Sequence, residues 1–214
     1  MNDISISTEL LCSTIPKTVS IEGEAYHKWS RLSAILRDAR EAIGRDPESG
    51  AEITEVYPRL IWLSALGYLL WLEALPDFFE HEENSCPMRN YNLRSIESAA
   101  QWALGISRKE ASALYALRCA FAHGYKLTNT QANNSRRHVF LVDRHEKLVR
   151  LPDKKVSRSI RPKSLHEYTK ISLTALSKAC EEANSMIPIT LKEGKLLKLK
   201  TPLPPDSFYY SKVQ

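Results

Sequence analysis

The chain has 214 residues, 43 % hydrophobic and 26 % charged, with a formal net charge of +5. That length can bury a substantial core as one domain, or as one domain with an appendage, and the balance of apolar and charged residues places the chain among soluble globular proteins. Seven glycines argue against a β-rich or low-complexity sequence, so a soluble, mainly α-helical protein is expected. The first twenty residues carry neither a basic n-region nor a long apolar h-region, and no secretory signal is expected. Cys12, Cys86, Cys119 and Cys180 are widely spaced and form no C-x-x-C pair, which fits reduced cytoplasmic thiols better than a disulfide framework or a zinc site. No metal and no cofactor are expected.

The periodicity places residues 1–20 in an N-terminal segment, 21–187 in a single helical bundle with an insertion at 126–163, and 188–214 in a C-terminal tail. Ala25, Trp29, Leu32, Leu36, Ala39 and Ile43 step by three and four, which predicts a helix from Ile21 to Ile43, closed by Gly44. Pro58 suits the first turn of a second helix. Leu60 to Leu75 is apolar on every face. A membrane span needs about 20 apolar residues; this run has sixteen, with Arg59 before it and Glu73 within it, so it reads as the central helix of the bundle. Pro76 to Asn92 reads as an exposed connection, in which His81-Glu82-Glu83-Asn84 lacks the second histidine of a zinc-protease helix. Leu93 to Leu104 is a short helix with Ile96, Ala99, Ala100 and Ala103 inward, closed by Gly105.

Ser107 to Tyr125 reads as one complete helix. Ser107 and Glu110 form a capping box at its start, and Gly124 offers the left-handed stop at its end. Leu114, Leu117 and Phe121 lie at helical spacing, joined by Tyr115, and Arg118 and His123 fall in the last two turns. Cations there favour the helix dipole whatever else they do. Val139 to Val142 and Lys147 to Leu151 then read as a β-hairpin around Asp143-Arg144-His145-Glu146. Arg136 to Lys163 holds ten Lys or Arg against three Asp or Glu, +7 in a chain whose total is +5. Such a concentration is either the footprint of a phosphate-backbone binder or a solvated linker. Leu165 to Ile187 resumes helical spacing after a second capping box, Ser164 with Glu167. Ile189 to Lys200 is a β-like run, and the tail ends in Phe208-Tyr209-Tyr210.

Arg118-Cys119-Ala120-Phe121-Ala122-His123 resembles the R-x4-H signature of HEPN domains. The resemblance covers about nineteen residues, with Leu117, Gly124 and Tyr125 in keeping. It implies an all-α bundle of about five helices, here with a basic β-hairpin insertion, and a homodimer. It further implies a metal-independent endoribonuclease of toxin–antitoxin or antiviral type, with an antitoxin or defence-system partner. Other members of that family only bind RNA or nucleotides. Active members commonly carry a polar residue where this chain has Cys119, so catalysis and binding both remain open, beside a helical protein-interaction scaffold. His123-Gly124-Tyr125 also resembles the H-x-Y extension of HEPN toxins paired with nucleotidyltransferase antitoxins, which implies Tyr125 as an AMP acceptor.

The residues suit that chemistry. His123 exchanges a proton near neutrality, and Arg118 is permanently charged and forked, fit to clasp a scissile phosphate. Arg136, Arg137, Arg144, Lys147, Arg150, Lys154 and Lys155 are the candidate RNA-binding cations. Five residues at about 100° each turn a helix by about 500°, which leaves Arg118 and His123 about 140° apart. Two copies of the helix meeting across a twofold axis bring such groups into one cleft.

Overall fold

The computed structural model describes residues 11–13, 15–51, 60–80, 95–122, 128–129, 138–143, 147–152, 167–193, 198–199 and 207–213. In chain order the first elements are β1 (Lys17–Ile21), β2 (Glu24–Ser30), α1 (Arg31–Ile43), α2 (Ile61–Phe78), β3 (Phe79–Glu80), α3 (Ser95–Leu104) and α4 (Arg108–Ala122). They are followed by β4 (Thr128–Asn129), β5 (His138–Asp143), β6 (Val149–Arg150), β7 (Thr169–Ser172), α5 (Leu173–Glu193), β8 (Lys198–Leu199) and β9 (Phe208–Lys212). Helices predominate, five of them among the described residues, with strands gathered in three small sheets.

The first helix begins at Arg31, ten residues later than its periodicity suggests. Ala25 and Trp29 belong instead to β2, which pairs with β1 on one side and with β9 on the other. Glu22 and Gly23 take φ of 53° and 82°, the left-handed pair that a two-residue hairpin turn requires. Nothing local announces β9, which arrives from the far end of the chain and holds residues 24–30 extended. At Ser30 the chain turns into α1: its hydroxyl accepts from the Ser33 amide at 3.0 Å. Gly44, at φ 79°, stops the helix with its amide on the carbonyls of Arg40 and Glu41, as expected.

Helix α2 is the centre of the core. Tyr68, Leu69, Trp71, Leu72, Leu75 and Phe78 are fully buried. It crosses α1 so closely that a β-carbon on Gly67 would stand 2.7 Å from that of Ala39, and at the same crossing the Ser64 hydroxyl donates to the Ala39 carbonyl at 2.9 Å. The connection expected from Pro76 onward starts later, because α2 continues through Pro76 to Phe78. Burial of Phe78 and Phe79 offsets the one backbone bond a proline removes near a helix end. No helix among the described residues is long and apolar enough to cross a membrane.

The expected hairpin between β5 and β6 does not form. The sheet order is β4-β5-β7-β6, with β7 parallel to β5 and antiparallel to β6. Thr169 to Ser172, whose spacing suggests helix, is a strand because Thr169 and Ile171 are buried between those two neighbours. The last helix therefore starts at Leu173, with the Ser172 hydroxyl accepting from the Ala175 amide at 3.2 Å; Ser164, the first member of the expected capping box, lies outside the described residues. Helix α5 also runs on through Pro188 to Glu193, where a β-like run is expected. Buried Ile187 anchors it, and the Thr190 hydroxyl donates to the carbonyls of Met186 and Ile187 at 3.0 Å. Among the described residues of that stretch the strand is β8, paired with β3.

A buried fork ties three of the helices. Arg40 of α1 donates through Nε and Nη2 to the two carboxylate oxygens of Glu181 on α5, at 2.9 and 2.6 Å. Its Nη1 reaches the carbonyls of Pro47 and Glu48 at 3.0 and 2.8 Å, and the Tyr68 hydroxyl of α2 donates to Glu181 at 3.2 Å. Satisfying both ions in this way is what makes such a pair tolerable out of water.

Candidate functional site

Helix α4 is built from its cap. Glu110 Oε2 accepts from the Ser107 amide at 3.0 Å and from its hydroxyl at 2.7 Å, while the Glu110 amide donates back to Ser107 Oγ at 3.4 Å. The capping box read from sequence is therefore present. From there Ala111, Leu114, Leu117 and Phe121 face the core, and Phe121 meets Trp62 of α2 edge-on, ring centroids 5.3 Å apart. Arg118 follows buried Leu117 by one position and falls at the rim of that apolar stripe.

There Arg118 meets Glu73, the acidic residue set within the apolar α2. Nε and Nη2 both approach Glu73 Oε2, each at 2.8 Å. The two side chains are 26 % and 32 % exposed. Arg118 has no other partner among the described residues, which leaves its Nη1 amine and one Nη2 hydrogen for a further acceptor. Glu73 has no signature beyond being an acid inside an apolar helix, and sequence reasoning used it only against a membrane span. Cys119 is 6 % exposed, so the position at which the sequence departs from the R-x4-H pattern of active members points into the core.

Helix α4 is described as far as Ala122. His123, Gly124 and Tyr125 lie outside the described residues, as do Arg136, Arg137, Arg144, Lys154 and Lys155. Two of the expected RNA-binding cations are described. Lys147 forms an ion pair with Glu110 at 3.1 Å, which joins the basic segment to the first turn of α4. Arg150 is exposed on β6, and its register partner on β7 is Lys170, a cation that sequence reasoning assigned to a helix.

The titrations follow from these contacts. Burial works to raise the Glu110 carboxyl, but the bonds from the Ser107 hydroxyl and amide and from Lys147 outweigh it and hold the group below its ordinary range. Tyr68 is pushed far up, by burial and then by the adjacent Glu181 carboxylate, so its phenol exchanges no proton near neutrality. Burial likewise pushes the Cys12 thiol up to about 12 and Cys180 well above the usual thiol range, Glu181 adding to it. Cys12, Cys119 and Cys180 are free thiols; Cys86 lies outside the described residues. No group of three His, Cys, Asp or Glu among the described residues is placed to hold a metal ion. Neither a known protein family, nor a curated protein, nor a solved structure matches this chain.

Proposed function

We propose that this protein is a cytoplasmic endoribonuclease of HEPN type, working as a homodimer in a toxin–antitoxin or antiviral role. The observation that carries the reading is Arg118. It stands at the rim of α4, partly exposed, aimed by Glu73 and with donors to spare, five residues before the histidine of the R-x4-H motif. A guanidinium held that way suits a scissile phosphate and the extra charge of a phosphorane.

The reaction is transesterification. His123 takes the proton of a 2′-hydroxyl as its oxygen attacks the adjacent phosphorus; the bond to the 5′-oxygen breaks, and the imidazolium so formed returns that proton to the leaving oxygen. The products are a 2′,3′-cyclic phosphate and a 5′-hydroxyl. Such a scheme uses no metal. Cleavage is expected to survive EDTA, to disappear in His123→Ala, and to leave those two end groups. Strict magnesium dependence or 5′-phosphate products would overturn it.

A second reading has its own observation. Glu73 and Arg118 also form an ordinary brace between α2 and α4, which suits a HEPN-like module that binds RNA without cutting it. Intact RNA in the presence of the wild-type protein, together with salt-sensitive binding, would favour that module.

A further inference from the structure

Register sets Arg150 of β6 opposite Lys170 of β7, and Lys170 opposite Leu141 of β5. Alternation sends Val149 and Ile171 to the other face, where both are buried in the core. Directly opposed side chains on a sheet stand about 4.5–5.5 Å apart at Cβ, and two like charges there oppose folding. Arg150 is exposed and Lys170 half-buried. Neither has an ion-pair partner among the described residues. The surrounding sequence deepens the imbalance: residues 147–172 hold eight Lys or Arg against two Asp or Glu. A like-charged pair without a counter-charge has the chemistry of a site whose counter-charge is the ligand.

We propose that Arg150 and Lys170 dock the phosphodiester backbone of single-stranded RNA at a point separate from the cleavage centre; this deepens the RNA-cleaving reading and rests on it. The guanidinium grips phosphate oxygens as a planar fork while the ammonium acts as a point charge beside it. Their position sets the consequence. Lys147, which leads into β6, is bonded to Glu110 in the first turn of α4, whereas the R-x4-H motif lies at the opposite end of that helix. Glu110 and Ala122 are separated by about 18 Å of helix rise. An RNA strand that touches both places must be several nucleotides long, so this contact favours long substrates and leaves the shortest ones unaffected.

The test uses the full chain. Lys170→Glu converts the like-charged pair into an opposite one and thereby separates folding from binding. Its thermal midpoint should rise, because repulsion becomes attraction. In a His123→Ala background, its affinity for fluorescein-labelled oligouridylate of about twenty nucleotides should fall at least about tenfold at low salt, and the slope of log affinity against log salt should flatten by about 1.4 for two lost phosphate contacts. In the active protein, Lys170→Glu should raise KM for the long strand and leave cleavage of a dinucleotide unchanged. An unchanged affinity and slope overturns the docking site. If Lys170→Glu fails to fold, the milder Arg150→Gln and Lys170→Gln pair must show the same loss of affinity. Wild-type protein that cleaves the dinucleotide while the variant keeps its long-strand KM refutes docking alone; wild-type protein that cleaves neither refutes the nuclease reading.

Discussion

Arg118 of α4 and Glu73 of α2 are 45 residues apart in sequence, yet the guanidinium clasps one carboxylate oxygen through two nitrogens, each at 2.8 Å. With both side chains partly open to water, such a pair contributes under about 1 kcal/mol to stability. Its larger effect is to fix the plane of the guanidinium.

Arg118→Ala should therefore lower the unfolding free energy by under about 1 kcal/mol, while RNA cleavage falls by about 10²- to 10³-fold through loss of charge stabilisation in the transition state. Glu73→Gln, which keeps an acceptor but not the charge, should retain more activity than Glu73→Ala. Urea unfolding and initial rates on the same samples check both statements. A loss of several kcal/mol in Arg118→Ala, or full activity, would reduce Arg118 to a brace.

What could be read from sequence follows from distance along the chain. The Ser107–Glu110 box, the Gly44 stop and the inward row Ile96, Ala99 and Ala100 depend on neighbours within four residues, and each is present. The strand identity of Thr169–Ser172 depends on β5 and β6, and that of Glu24–Ser30 on β9, so their helix-like spacing misleads. Pro188 marks a helix end only where nothing buried lies on both sides of it; Ile187 is buried and Leu191 packs on the same core. The site divides in the same manner. A local motif is what marks Arg118 as a candidate, whereas Glu73 and Lys170 become candidates only through their neighbours on other elements.

The crossing of α1 and α2 has no room for one more carbon. Gly67→Ala would set its β-carbon 2.7 Å from the Ala39 side chain and 3.1 Å from the Ala39 Cα, which is backbone. Forcing the helices apart at so packed a point should cost about 1–3 kcal/mol. Ala39→Gly in the same chain should return part of that loss, because it removes the opposing methyl. A double-mutant cycle in urea reads the coupling, and additive effects would mean that the helices adjust elsewhere.

Acid should weaken the start of α4 in a set pH window. The folded Glu110 carboxyl lies below its ordinary value near 4.5, so the carboxylate contributes stability that is complete above that value and is lost as pH falls through the lowered one. Glu110→Gln should accordingly be less stable than wild type at pH 6, and the gap should close as acid protonates the wild-type carboxyl. Ser107→Ala removes a hydrogen-bonding partner that lowers the pKa and should cost about 0.5–2 kcal/mol near neutrality. Thermal midpoints from pH 6 down to about pH 3 follow the difference across that window. A gap that stays constant with pH would show that the charge of Glu110 contributes nothing to the cap.

The arrangement of the cleavage centre can be tested without knowing its substrate sequence. On an ideal helix continued to position 123, five residues leave Arg118 and His123 about 140° apart, so a cleft that uses both is expected to draw on two copies of α4 packed across a twofold axis. The protein should sediment as a dimer with α4 at the interface. Arg118→Ala and His123→Ala homodimers should each retain at most about one-hundredth of wild-type cleavage. If each cleft takes its arginine from one chain and its histidine from the other, a heterodimer of the two variants contains one intact pair and one doubly broken pair, and mixing should restore up to about a quarter of wild-type activity once subunits have exchanged at random. If both groups come from the same chain, no mixed dimer holds an intact pair and mixing restores nothing. A strictly monomeric protein, or exchange confirmed by mass with no return of cleavage, would remove the shared centre and leave the RNA-binding module as the better account of Arg118.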